Sequence, residues 1–240
     1  LSPLPAGRRF QLTSLVSDGD SKEPQEFRFD GEKYFPKKGS HWKTPPERMK
    51  LLASKKRIVK MGDTIRYKRY ADDFPVIPIS DRWESTQIGT ERQYVVQTAD
   101  IVVQRCILMT TDTGDLVLDP TCGSGTTAYV SEQWGRRWIT CDTSRVAVTL
   151  AKQRLMTALF DYYELAHPNE GIGSGFNYKT VPHITLKSIA NNEPPGQETL
   201  YDQPFVDKNR ARVTGPFTVE AVPAPAVKSL SEVDAVQQPA

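Results

Sequence analysis

The stretch from Asp115 to Asp142 constrains the fold of this chain most strongly. Leu116, Val117 and Leu118, bracketed by Asp115 and Asp119 and introduced by Gly114, read as a short buried strand. The small residues Pro120–Gly125 make a tight turn. A helical segment runs from about Thr126 to Trp134, with Gly135 placed to end it in the left-handed conformation. Arg136–Asp142 reads as a second strand. A strand, a crossover helix and a second strand in so few residues predict a parallel pair, and so an α/β fold.

The turn between strand and helix can hold a ligand. Gly123 and Gly125, on either side of Ser124, let backbone approach a ligand with no β-carbon in the way. The helix begins at Thr126 and Thr127, where free N–H groups and the helix dipole suit a carboxylate or a phosphate. Asp142 closes the second strand nineteen residues after Gly123 and can accept hydrogen bonds from ribose hydroxyls. The ligand therefore carries a ribose and an anionic group. Ala128 takes the place of a dinucleotide fingerprint's third glycine, an allowed variant that weakens NAD(P) without ruling it out. Asp119, a second acid at the end of the first strand, would repel a pyrophosphate and attract an amino group. S-adenosylmethionine, with ribose, carboxylate and ammonium together, fits these residues better than NAD.

Helices flank this unit. Thr98 is a plausible cap and Asp100 suits a first turn, with Ile101, Val102, Cys106 and Met109 on one face. Ser144 caps a second helix to about Phe160, with Val148, Ala151, Leu155 and Leu159 on one face. A strand and a short helix are expected in Phe176–Ala190, and Thr64–Tyr70 reads as a strand.

Residues 33–70 hold thirteen Lys or Arg against two acids, Glu47 and Asp63, interleaved with Tyr34, Phe35, Trp42, Tyr67 and Tyr70. Such a stretch attracts polyanions and offers faces for stacking, although it is also what a solvated basic surface looks like. Lys55, Lys56 and Arg57 are the candidates for contact with DNA phosphates.

Other chemistry is poorly supported. No run approaches the about 18 apolar residues of a membrane span, and Leu1–Phe10 lacks the apolar core of a signal peptide. Cys106, Cys122 and Cys141 form no Cys-x-x-Cys pair and no Cys/His cluster, which disfavours disulfides and a metal site. An intracellular, cytoplasmic setting is expected. His41, His167 and His183 are scattered. Cys122 has no His partner in sequence and reads as structural, Asp72-Asp73-Phe74-Pro75 as a surface turn, and Trp83 and Trp138 as packing residues.

The run Leu118-Asp119-Pro120-Thr121-Cys122-Gly123-Ser124-Gly125-Thr126-Thr127 resembles the cofactor motif of DNA amino-methyltransferases. Tyr94-Val95-Val96-Gln97-Thr98, then a helix and Gly114–Asp119, resembles the motif preceding it in permuted members. There the catalytic motif comes first, then target recognition, then cofactor binding, as in type III restriction-modification methylase subunits. The resemblance is specific over about 62–160. It implies a partial Rossmann-like methyltransferase fold with S-adenosylmethionine as cofactor. Asp119 would face the methionine amino group, Gly123 and Gly125 make the turn, Thr126 and Thr127 hold the carboxylate, Asp142 holds the ribose, and Gln97 and Thr98 flank the methionine end. Thr121 stands where many members have Phe, and Ala99 where Lys-Pro is common.

The family's catalytic tetrapeptide, Asp or Asn followed by Pro-Pro and an aromatic, is absent from these 240 residues. Pro45-Pro46 and Pro194-Pro195 have the wrong neighbours. The catalytic residues are accordingly unassigned, and the chain reads as the C-terminal part of a site-specific methyltransferase, adenine-specific rather than cytosine-specific, and inactive alone. Its expected organisation is an irregular segment over 1–32, a basic target-recognition region over 33–93, a cofactor-binding subdomain over 94–192, and an extended or disordered tail over 193–240. Expected partners are double-stranded DNA, the catalytic half, and a second copy or a restriction subunit; a membrane is not. Two other readings stay open: a non-catalytic module that binds nucleic acid or a nucleoside cofactor, and an NAD(P)-dependent oxidoreductase fragment.

Overall fold

A computed structural model describes residues 7–21, 25–83 and 97–222. The fold is mixed α/β, and the chain divides into two compact units interleaved in sequence.

The first unit comprises residues 1–87, 108–113 and 163–207. It opens with β1 (Phe10–Ser14), β2 (Val16–Asp18), β3 (Phe27–Phe29), β4 (Glu32–Tyr34) and β5 (Ser40–Trp42), followed by α1 (Pro46–Ser54), β6 (Ile58–Met61) and β7 (Thr64–Tyr70). These strands form antiparallel sets, β1-β7-β6, β2-β5 and β3-β4. They close over a core of Leu15, Phe27, Tyr34, Trp42, Met49, Leu52, Ile65 and Tyr67. The segment expected to be irregular thus contains three strands. Its alternation was too short to read, because each strand spans only three to five residues.

The second unit comprises residues 88–107, 114–162 and 208–240. It contains most of α2 (Asp100–Thr110), then β8 (Leu116–Asp119), α3 (Thr126–Gln133), β9 (Arg137–Thr140), α4 (Arg145–Thr157) and β10 (Leu159–Tyr163). β8 and β9 are parallel, with Leu118 opposite Ile139 and Asp119 opposite Thr140, so the predicted strand–helix–strand unit is present. Gly135, at φ 71°, follows α3 as expected, and Ser144 caps α4 by accepting the Ala147 N–H at 3.3 Å.

Two packing expectations need correction. β8 is not buried on both faces: Leu116 and Leu118 are 52% and 65% exposed. Parallel strands are dry only when both faces are covered. Here α3 packs on the face that carries Trp138, whose indole N–H donates to Glu132 at 3.1 Å. On α2 the residue that is buried is Ile107, while Ile101, Cys106 and Met109 are exposed.

β11 (Tyr178–His183) and α5 (Leu186–Ala190) follow in the first unit as expected. β12 (Gly196–Pro204) then pairs with β11, and β13 (Val206–Val213) with β10. The tail expected from residue 193 is therefore structured at its start. Arg212 donates to the Glu132 carboxylate at 2.7 Å, Thr214 donates to the Leu155 carbonyl at 2.6 Å, and Phe217 packs on Trp138. The rest of that tail, 223–240, lies outside the described residues.

Candidate cofactor site and basic surface

The site grows out of β8. Asp119 ends the strand, and its carboxylate accepts the Thr121 N–H at 3.0 Å, which folds the chain back over Pro120. The Cys122 N–H donates to the Cys141 carbonyl at 2.8 Å, tying the turn to the segment after β9. Gly123 and Gly125 both adopt positive φ, 50° and 75°, so the turn needs glycine there. A β-carbon on Gly125 would lie 2.6 Å from the Ala151 β-carbon, so glycine also sets how closely α4 can seat.

Asp142 is the hinge of this arrangement. One carboxylate oxygen accepts the Gly123 N–H at 2.9 Å, and the other accepts the Ser144 N–H at 2.8 Å. These two bonds, Ser144 first, hold the carboxyl below its usual pKa against a smaller opposing effect of desolvation. A carboxylate has about four acceptor directions, so two protein bonds leave capacity for ribose hydroxyls. Asp119 and Asp142 thus flank the glycine turn at the ends of adjacent parallel strands, where α/β sheets place their ligands.

The two threonines at the start of α3 differ. Thr126 is 5% exposed, and its hydroxyl is taken up by Arg154, which donates at 3.0 Å. Its side chain is therefore not directed at a ligand, and what it offers is its backbone N–H. Thr127 is half-buried. The first amides of a helix have no partner within the helix, and the first backbone bond here is Tyr129 N–H to the Gly125 carbonyl, 2.9 Å. Thr121 is exposed beside the turn. Gln97 is half-buried and Thr98 exposed, immediately ahead of α2; Tyr94–Val96 lie outside the described residues.

Cys122 is buried, and burial pushes its thiol pKa up, the reverse of what a nucleophile needs. Among the described residues no group of three His, Cys, Asp or Glu could hold a metal ion.

Sequence reasoning missed Arg154 and treated Asp100 only as a first-turn acid. Arg154 donates to both Asp100 carboxylate oxygens, at 3.0 and 2.9 Å, as well as to Thr126. The available signal was an arginine between Ala151 and Leu155 on a face otherwise apolar.

In the first unit the basic triplet is not uniform. Arg57 is buried and donates twice to Asp73, at 2.6 and 2.8 Å, with its guanidinium 4.5 Å from the Tyr70 ring centre. Asp73 is fully buried and also accepts the Tyr70 N–H at 2.8 Å. Arg57 is thus spent on the fold, and the expected Asp72-Asp73 surface turn is half core: Asp72 stays outside and pairs with Arg8. Lys55 and Lys56 are exposed and, with Arg8, Arg57 and Tyr70, line an open cleft of about 460 Å³. Lys33 and Lys60 pair with Glu26 and Glu32, acids outside the basic stretch, so its net charge is partly offset.

Among the described residues no helix is long and apolar enough to cross a membrane. The chain is similar to three bacterial type II methyltransferases. M.EcaI of Enterobacter cloacae is 26% identical over 165 residues, covering 66% of this chain and 35% of the relative. M2.DpnII of Streptococcus pneumoniae is 38% identical over 63 residues, 26% and 24% of the two chains. M.BamHI of Bacillus amyloliquefaciens is 58% identical over 38 residues, 16% and 9% of the two. The chain thus spans about a third or less of the length of these relatives. Among solved structures, the M1.HpyAVI–SAM complex aligns over 40% of this chain and 52% of that one, at 22% identity and a TM-score of 0.27. The DNA methylase family matches residues 19–153, more than half of the sequence and inclusive of the whole glycine turn with both flanking strands, and the chain belongs to that family.

Proposed function

We propose that this chain is the C-terminal, cofactor-binding part of a DNA methyltransferase that modifies an exocyclic amino group, adenine favoured over cytosine. The cofactor is S-adenosylmethionine. The observation that carries this reading is the Asp142 carboxylate, fixed by the Gly123 and Ser144 N–H groups at the mouth of a glycine turn. Asp142 would accept from the ribose, Asp119 would face the ammonium group, and the first N–H groups of α3 would take the carboxylate. Gln97 and Thr98 would flank the methionine end, and Thr121 would border it. When bound, S-adenosylmethionine supplies an electrophilic methyl group on a sulfonium. The residues of this chain bind and orient it.

In this reading the Asp/Asn-Pro-Pro-aromatic motif belongs to a part of the enzyme outside these 240 residues, in a permuted order. Such a motif accepts hydrogen bonds from the target amino group once the base is flipped out of the duplex. Lys55 and Lys56 would contact DNA phosphates. The test is methylation of duplex DNA by the intact gene product with labelled S-adenosylmethionine, followed by identification of the modified base. Label on the adenine amino group is expected. Label on cytosine would correct the target base. Label on neither would overturn the enzyme reading and favour a binding module.

A further inference from the structure

Arg154 projects from α4 between buried Ala151 and Leu155, with a side chain only 10% exposed. Its guanidinium touches the first turn of both neighbouring helices. One nitrogen donates to the two Asp100 oxygens at 3.0 and 2.9 Å, at the start of α2. The other donates to the Thr126 hydroxyl at 3.0 Å, at the start of α3. The planar group also lies 4.3 Å from the ring centre of Tyr129. A rigid fork of donors can serve two such partners at once, whereas an ammonium on a flexible stem cannot hold both in a fixed geometry. One helical turn earlier on α4, Ala151 meets Gly125, where an added β-carbon would come within 2.6 Å. The approach of α4 to the glycine turn is therefore fixed by contact, and Arg154 reaches Thr126 and Asp100 from that fixed seat.

We propose that Arg154 is a positioning residue for the amino-acid end of the cofactor. It locks the first turn of α3, whose N–H groups face the carboxylate, to the start of α2, which follows Gln97 and Thr98. This rests on the S-adenosylmethionine reading above. The ribose end is held separately, by Asp142 and its own backbone bonds. Loss of Arg154 must then weaken recognition of the amino-acid group and leave recognition of the nucleoside nearly intact.

The test compares two ligands on the full chain, S-adenosylhomocysteine and 5′-methylthioadenosine, which lacks the amino-acid group. The variant is Arg154→Met, which keeps an unbranched apolar stem and removes the donors together with the guanidinium over Tyr129. Dissociation constants are measured well below its melting temperature, with amide hydrogen exchange alongside. We expect about a tenfold loss for S-adenosylhomocysteine and less than about threefold for methylthioadenosine. Exchange should quicken at Tyr129 and Val102, whose N–H groups bond the Gly125 and Ala99 carbonyls at 2.9 and 3.0 Å in the first turns of α3 and α2. Equal losses for both ligands, or no loss, would overturn the proposal. If the parent chain binds neither ligand, the cofactor reading fails, and exchange decides on Arg154 alone: quickening at those amides upholds the clamp and unchanged rates refute it. Should Arg154→Met fail to fold, Arg154→Lys serves the same comparison.

Discussion

Gly125 and Ala151 are in contact across the interface of the glycine turn and α4, at a distance that leaves no room for a β-carbon on Gly125. At φ 75° the same residue is in the left-handed region, where any other side chain is strained. Gly125→Ala therefore incurs both costs, and we expect it to lower stability by about 2–4 kcal/mol. Urea denaturation of the two proteins measures this. A loss below about 0.5 kcal/mol would mean that α4 does not seat on the turn.

Asp73 and Arg57 form the buried ion pair of the first unit, with side chains 0% and 10% exposed. Asp73→Ala would leave the Arg57 charge buried without its partner and orphan the Tyr70 N–H. We expect destabilisation by about 3–5 kcal/mol. Denaturant midpoints check it, and a near-neutral result would show that Arg57 turns outward in solution.

The turn was readable in the sequence because its demands are local. Gly123, Gly125, Asp119 and Asp142 lie at fixed offsets within one strand–helix–strand unit; the glycines meet its positive φ angles and the aspartates accept its backbone N–H groups. The Arg154–Asp100 pair was not, because its members are 54 residues apart and neither has a local signature. The same holds for Arg57, which sits in a run of cations. Only the fold shows that it is matched to Asp73, sixteen residues on, while Lys55 and Lys56 face solvent. The strands before residue 33 and after residue 193 were missed for a related reason. Most of them have partners distant in sequence, as β1 with β7, β2 with β5 and β13 with β10.

If Lys55 and Lys56 contact phosphates, changing both to Gln should reduce the slope of log K against log salt by up to about 2, equally for unrelated duplexes. Salt titration by fluorescence anisotropy on two duplexes reads this out. An unchanged slope would make the cleft an ordinary solvated surface.

The lowered pKa of Asp142 carries a pH signature. Its two backbone bonds favour the carboxylate, so their contribution is present above the ordinary Asp pKa and is lost as pH falls through the lowered folded value. The difference in melting temperature between the parent and Asp142→Asn should therefore be largest near neutral pH and shrink in acid. Thermal melts over a pH series test this, and a gap that widens on acidification would contradict the assignment of those bonds.

The central claim is that the turn between β8 and α3 holds the cofactor. A nitrogen-15 NMR titration of the chain with S-adenosylhomocysteine tests it most directly. The account predicts saturable shifts of the Gly123, Gly125, Thr126, Thr127 and Asp142 amides, absent when NAD is titrated instead and lost in Asp142→Ala. Shifts confined to other residues, or the same shifts with NAD, would contradict it.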